Sequence, residues 1–221
     1  MHRIINLLLG WLKWLVLAGV LIIIIASVYL HRKPAIHSQV ELMPEAKLLP
    51  KEISLTTERG FPVSREHFEN HWSLVFFGFT HCPDFCPMVL QKLSSLLKKP
   101  LSDKDNLQLV FITVDPERDT GEQLKNYLSF FNKKIIGLRG DNRAIASFSA
   151  FFNAPYERVI TNNGKSISIT AGSDMPGTEN NQYYVNHSTR IFIINPTGKY
   201  VGYLDSSLTL ETLYEGLASL R

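Results

Sequence analysis

Several protein classes are excluded by what this 221-residue sequence lacks. Two cysteines are too few for a scaffold built on several disulfides. The sequence has no Gly-rich phosphate loop, no internal repeat and no low-complexity tract. Aromatic residues make up 11% of the chain, and 13 glycines and 11 prolines are close to average usage, which excludes a disordered chain.

Acidic residues are absent from the first 33 positions, where four basic residues give a charge of +4. The other 188 residues hold 19 basic and 20 acidic side chains, a net charge of −1. The basic excess is therefore confined to the N-terminal apolar segment. A body without a positive excess does not attract phosphates, so no nucleic acid partner is expected.

An uncharged apolar run, WLVLAGVLIIIIASVYL, occupies residues 14–30. With its flanks it would form a helix of about 30 Å, enough to cross a bilayer core. A cleaved signal peptide is the alternative, but its apolar region is usually about 7–15 residues long. We predict one uncleaved transmembrane anchor at 14–30 behind a cytoplasmic flank at 1–13. The flanking charges do not decide its sidedness.

The remaining chain divides into a tether and one domain. Residues 31–50 have mixed charge, three prolines and no sustained hydrophobic period, which predicts a tether. Residues 51–221 have the length of one ordinary domain with its own core.

The order of predicted elements in the body indicates a mixed α/β fold. Ser73–Phe79 and Leu107–Val114 are short apolar runs typical of buried strands, and Asp84–Lys99 has helical periodicity. Two hairpins are predicted later, at 157–170 and 190–204. Strands that alternate with helices and are followed by hairpins predict a mixed sheet flanked by helices, with added β-hairpins.

The two cysteines, Cys82 and Cys86, lie in FTHCPDFCP, where the first buried strand turns into a helix. The positive end of a helix stabilises thiolates, and an i,i+4 spacing places both on one face. Such a pair can share a soft metal or be oxidised to a disulfide, and two buried core residues are the plain alternative. The spacing alone does not choose between metal and redox chemistry.

The stretch FFGFTHCPDFCP resembles the active stretch of the Sco/SenC family, membrane-tethered copper chaperones with a thioredoxin fold that act in cytochrome c oxidase assembly. Further similar stretches follow in the family's order: VFITVDPERDT at 110–120, IIGLRGD at 135–141 and YVNHSTRIFIINPTGKYVGYL at 184–204. The resemblance covers about residues 50–205 together with the anchor. It implies a thioredoxin-like domain behind one transmembrane helix.

The resemblance also implies a copper site made by Cys82, Cys86 and His187. Two thiolates and an imidazole suit Cu(I), with Cu(II) as the alternative state. One departure from the family precedes the histidine, where Asn186 replaces the usual aspartate. An amide would orient the imidazole more weakly than a carboxylate.

By resemblance, the protein is a metallochaperone rather than an enzyme. The implied acceptor is the CuA centre of cytochrome c oxidase subunit II, or another cuproprotein. An upstream copper donor or a thiol reductant would load the site. The implied location is the bacterial inner membrane, single-pass, with the soluble domain facing the periplasm.

Two other functions use the same cysteines. A thiol–disulfide oxidoreductase would use Cys82 and Cys86 as a redox pair that keeps acceptor cysteines reduced. Against it, the usual CxxC is replaced by CxxxC, and residues 183–189 lack the proline typical of thioredoxin-like reductases. A thiol peroxidase would need a threonine near its reactive cysteine, and only Thr80 is close in sequence.

Other polar residues near these motifs are given structural roles. His67 and His71 are interpreted as a solvated helical face, and His81 as a residue pointing away from the ligands. Asp84 and Asp119 are interpreted as helix caps.

Overall fold

The computed structural model describes residues 11, 13, 14, 16–24, 27, 40–98, 107–162, 164–176 and 183–220. The chain divides into two compact units, residues 1–37 and 38–221.

The first unit contains part of the predicted anchor. Residues 16–24 are helical, whereas positions 15, 25, 26 and 28–30 of the predicted 14–30 span lie outside the described residues. Among the described helices, none is long and apolar enough to cross a membrane.

The second unit is built on an eight-stranded mixed sheet. The described strands, in chain order, are β1 (Val40–Leu48), β2 (Glu52–Thr57), β3 (Pro62–Ser64), β4 (Trp72–Gly78), β5 (Leu107–Thr113), β6 (Ile136–Arg139), β7 (Tyr156–Asn162), β8 (Lys165–Thr170), β9 (Tyr184–His187), β10 (Arg190–Ile194) and β11 (Lys199–Asp205). The main sheet has the order β1-β11-β10-β4-β5-β6-β2-β3. The central pairs β4·β5 and β5·β6 are parallel, and β10 is antiparallel to β4.

In the described part of the chain, four α-helices cover this sheet: α1 (Phe85–Leu96), α2 (Gly121–Phe131), α3 (Asn142–Phe151) and α4 (Leu210–Ala218). Side chains alternate across β4, so Leu74 and Phe76 belong to the core cluster with α1, α2 and α4, whereas Val75 and Phe77 belong to the cluster with α3. A strand covered on both faces must be apolar at every position, which explains SLVFFGF. The predicted mixed α/β, thioredoxin-like sheet flanked by helices is confirmed.

A second, three-stranded antiparallel sheet has the order β8-β7-β9. The predicted hairpin at 157–170 forms β7 and β8, and β9 pairs with β7 on the other side. The predicted hairpin at 190–204 instead forms β10 and β11 in the main sheet.

The predicted tether at 31–50 is wrong at its C-terminal end. Residues 40–48 form β1, which pairs antiparallel with β11 at the edge of the main sheet. Pro44 is tolerated there because an edge strand leaves backbone groups unpaired, and the register shifts between Leu42 and Lys47. Edge strands with prolines and charges lack the clean alternation that would have identified this one.

Candidate metal centre

The turn between β4 and α1 carries both cysteines. Cys82 precedes the helix and is half-buried, and Cys86 lies in its first turn, fully buried. The Cys86 backbone N–H donates to Cys82 Sγ at 3.3 Å, so both sulfurs are on one side of the turn, as the i,i+4 spacing predicts. Gly78 allows this packing, because a Cβ there would lie 2.9 Å from Cys86 Sγ.

His187 reaches the same place from the second sheet. It is the last residue of β9, opposite Tyr156 of β7. Its Nε2 lies 3.5 Å from Cys86 Sγ, and the three candidate ligand atoms of Cys82, Cys86 and His187 all lie within 4.8 Å of one another. The fold therefore brings together the three predicted residues, and their role as copper ligands stays a prediction.

A backbone contact fixes the orientation of the imidazole. His187 Nδ1 lies 2.9 Å from the carbonyl oxygen of Ser188. A carbonyl can only accept, so Nδ1 donates, and in the neutral imidazole Nε2 keeps its lone pair toward Cys86. Asn186 points elsewhere, since its amide donates to Glu157 at 2.9 Å. In this chain the imidazole is therefore oriented by the Ser188 carbonyl and not by the side chain at position 186.

Three aromatic rings surround His187. The ring centroids of Phe76, Phe79 and Phe85 lie 5.9, 5.8 and 6.1 Å from the imidazole. This apolar shell limits the positions that the imidazole can take and lowers the access of water to the sulfurs.

The two thiols have opposite acidities. A hydrogen bond from the Cys86 thiol, aided by His187 and opposed by desolvation, lowers the pKa of Cys82 to about 4. The same hydrogen bond and burial hold the pKa of Cys86 well above its usual range. The pair therefore presents one thiolate, at Cys82, and one buried thiol that loses its proton when a metal binds.

This asymmetry predicts selective alkylation. In the reduced, metal-free chain, iodoacetamide should modify Cys82 at a rate that stays nearly constant from about pH 9 down to about pH 5, since the thiolate persists to its low pKa. Cys86 should remain unmodified while the protein is folded. Mass spectrometry of peptides after timed quenching measures both rates. A Cys82 rate that falls tenfold per pH unit below pH 8 would contradict the prediction.

The predicted cap role of Asp119 is wrong, whereas Asp84 does lie at the N-cap position of its helix. Thr120 caps α2, because its hydroxyl oxygen accepts from the Gln123 N–H, and the carboxylate of Asp119 instead accepts from the Thr80 N–H at 3.0 Å. Asp84 stands at the N-cap position of α1, but among the described residues its side chain receives no capping hydrogen bond.

Three other histidines lie among the described residues, and each contacts residues other than the candidate ligands. His81 lies within 4.8 Å of the carboxylates of Asp115 and Asp119, but both carboxylates already accept hydrogen bonds from neighbouring side chains. His67 accepts from the Ser64 N–H. The predicted helical face does not include His71, because the 3-10 helix Arg65–Phe68 ends before it.

The sequence does not predict that residues 115–119 contact both the turn that carries the cysteines and the segment that precedes His187. The motif VDPERDT is part of the family resemblance, but sequence spacing gives no sign that its side chains contact residues 39 and 68 positions away.

The comparisons with known sequences all indicate the same family. The family model described as SCO1/SenC matches residues 43–221. The chain is 32% identical to a putative copper-binding protein of Stutzerimonas stutzeri, over 83% of this chain and 81% of that protein. This chain is also 33% identical to the mitochondrial SCO2 homolog of Mus musculus. The match covers 81% of this chain and 65% of the length of that relative.

Solved structures agree with the sequence match. Arabidopsis thaliana ScoI with copper bound superposes with a TM-score of 0.64 and 29% identity, over 76% of this chain and 94% of that one. Yeast Sco1 with copper bound superposes with a TM-score of 0.64 and 28% identity, over 79% of this chain and 88% of the yeast chain. This chain therefore belongs to the SCO1/SenC family.

Proposed function

We propose that the protein is a membrane-tethered copper chaperone that delivers copper to the CuA centre of cytochrome c oxidase subunit II. The observation that carries this proposal is the convergence of Cys82, Cys86 and His187, whose ligand atoms lie within 4.8 Å of one another. The names of relatives support it, because one is a putative copper-binding protein and two similar structures hold copper.

The donor set fits Cu(I). Two sulfurs and one imidazole nitrogen are soft or intermediate ligands, whereas harder metals prefer oxygen. The centre is also lined by aromatic rings, which disfavours a strongly hydrated ion. Copper is the cargo here, and Cu(II) is the alternative state of the same cargo.

The exposure of the ligands supports transfer by ligand exchange. Cys82 and His187 are half-buried and reachable from outside, whereas Cys86 is fully buried. An acceptor thiolate would replace the outer ligands first, and Cys86 would release the ion last and recover its proton. The ion moves as Cu(I), so no electron changes place.

The test is transfer of isotopically labelled copper. The full-length chain loaded with one equivalent of Cu(I) is mixed with reduced, metal-free subunit II, and the separated proteins are analysed by mass spectrometry of the metal. Copper should move to subunit II and not to a metal-free bystander copper protein. Retention on the donor, or equal loss to the bystander, would overturn delivery to this acceptor.

The thiol–disulfide oxidoreductase alternative is not favoured. Three of the four relatives and structures reported above carry copper in their names. In addition, CxxxC replaces the CxxC usual in these reductases, and residues 183–189 hold no proline.

Tethering places the chaperone beside a membrane-bound acceptor. We assign the anchor to residues 14–30, because that run is uncharged, and the soluble domain to the periplasmic side of the bacterial inner membrane. Alkaline phosphatase fused after Arg221 should be active, and the fusion should stay in membranes washed with alkaline carbonate. An inactive fusion, or release by carbonate, would overturn this placement.

A further inference from the structure

The DPERD loop, Asp115–Asp119, connects β5 to the start of α2 beside the metal centre. Its last residue holds the turn that carries the cysteines. Asp119 is fully buried, and its two carboxylate oxygens accept from the Thr80 N–H at 3.0 Å and the Thr80 hydroxyl at 2.6 Å. Thr80 is two residues before Cys82, so this contact fixes the cysteine side of the centre.

The same loop holds the segment that carries the histidine. Tyr183, only 8% exposed, directly precedes β9. Its hydroxyl donates to Asp115. The Arg118 guanidinium lies 3.8 Å from the centre of the Tyr183 ring and donates to the Tyr183 carbonyl at 3.3 Å. Arg118 also donates to Asp115 at 2.5 Å, so the three side chains form one closed group.

This group extends to the imidazole itself. Arg118 Cζ also lies 5.7 Å from the centre of the Phe79 ring, and the Phe79 ring centre lies 5.8 Å from that of His187. A further contact holds the strand next to β9, because Glu117 pairs with the buried Arg158 of β7 at 2.8 Å. The loop therefore fixes β9 directly at Tyr183 and through β7.

We propose that Tyr183 is a positioning residue for His187, and that the DPERD loop sets the distance between the imidazole and the two sulfurs. This inference rests on the proposed copper binding. His187 is four residues beyond Tyr183, at the far end of a short strand, so a shift at the start of β9 is transmitted to the ligand. Removing the hydroxyl leaves the buried Asp115 carboxylate short of one donor and frees the start of the strand.

The test is the affinity for Cu(I), measured on the full-length chain by competition with a chromophoric chelator. Tyr183→Phe keeps the ring and removes only the hydroxyl, and it should weaken binding by roughly 10-fold, the effect of losing an outer partner of a metal ligand. Tyr203→Phe is the matched control, because the Tyr203 hydroxyl also donates to a carboxylate, Glu41, at the far edge of the sheet. It should leave the affinity unchanged.

A double-mutant cycle separates positioning of the histidine from general loosening. In the His187→Ala background the two thiolates still bind Cu(I), and Tyr183→Phe should change that affinity by less than about twofold. Arg118→Lys is a second variant, since lysine keeps the charge but cannot stack on the ring in the same way. It should behave like Tyr183→Phe in both backgrounds.

The outcomes distinguish this inference from the proposed function. Wild-type binding with an unchanged affinity in Tyr183→Phe and Arg118→Lys overturns the positioning role alone. If Tyr183→Phe lowers the Cu(I) affinity equally in the presence and absence of His187, the positioning role is also overturned. Tyr183 would then act on the whole domain rather than on His187. A wild-type chain that binds no Cu(I) overturns both proposals.

Discussion

We expect Cys86→Ser to weaken Cu(I) binding by more than roughly 100-fold, because losing an outer partner of a metal ligand already costs 10–100-fold. Cys86 is the innermost of the three candidate ligands, fully buried and 3.5 Å from His187 Nε2. A serine hydroxyl is a hard donor that does not replace a thiolate for Cu(I). Chelator competition on the full-length chain measures the loss.

Variants of the other two candidate ligands and a control variant of another histidine complete that experiment. Cys82→Ser and His187→Ala should also weaken binding, and the His187 variant should retain the most affinity because both thiolates remain. His67→Ala is the control, since His67 contacts Ser64 before the start of β4, whereas both cysteines follow its C-terminal end. Wild-type affinity in Cys86→Ser would remove this residue from the metal site.

The second large effect concerns stability rather than copper. Glu117→Ala should lower the free energy of unfolding by about 3 kcal/mol, the low end of the cost of removing one partner from a buried ion pair, because the Glu117 side chain is 26% exposed. Arg158 has no exposed surface, and both carboxylate oxygens of Glu117 lie 2.8 Å from its Nη1. Without Glu117, the partners of the guanidinium among the described residues are Asn142 and the Ser173 carbonyl. Urea unfolding of the apoprotein measures the difference.

Two variants control for the loss of side-chain atoms. Arg59→Ala removes a side chain that is 63% exposed from an ion pair with Glu58, and it should cost about 1 kcal/mol or less. Adding Arg158→Met to Glu117→Ala removes the unpaired charge and should recover part of the lost stability. A Glu117→Ala variant as stable as Arg59→Ala would show that the buried charge needs no partner.

Much of the central fold was predictable from the sequence because its strands are buried on both faces. The apolar runs that form β4 and β5 and the periodic helix α1 have strong local patterns. β1 and β9 have no strong local pattern, because β1 is an irregular edge strand and β9 has only four residues. Their pairing depends on the rest of the sheet, which local patterns do not contain.

The candidate site was predictable to different degrees. The spacing of Cys82 and Cys86 and their strand-to-helix turn are local, so the sequence alone indicated a working pair. His187 lies 101 positions after Cys86, and only the family resemblance connected it to the cysteines. The links from Asp119 to Thr80 and from Asp115 to Tyr183 were not predictable, because they arise when the sheet order brings distant loops together.

The most direct test of the metal centre is X-ray absorption at the copper edge of the full-length chain loaded with one equivalent of Cu(I). We predict two sulfur neighbours and one imidazole nitrogen around the ion, with the nitrogen lost in His187→Ala and one sulfur lost in Cys86→Ser. A first shell of oxygen or nitrogen atoms alone, or a spectrum that neither substitution changes, would contradict a copper site formed by Cys82, Cys86 and His187.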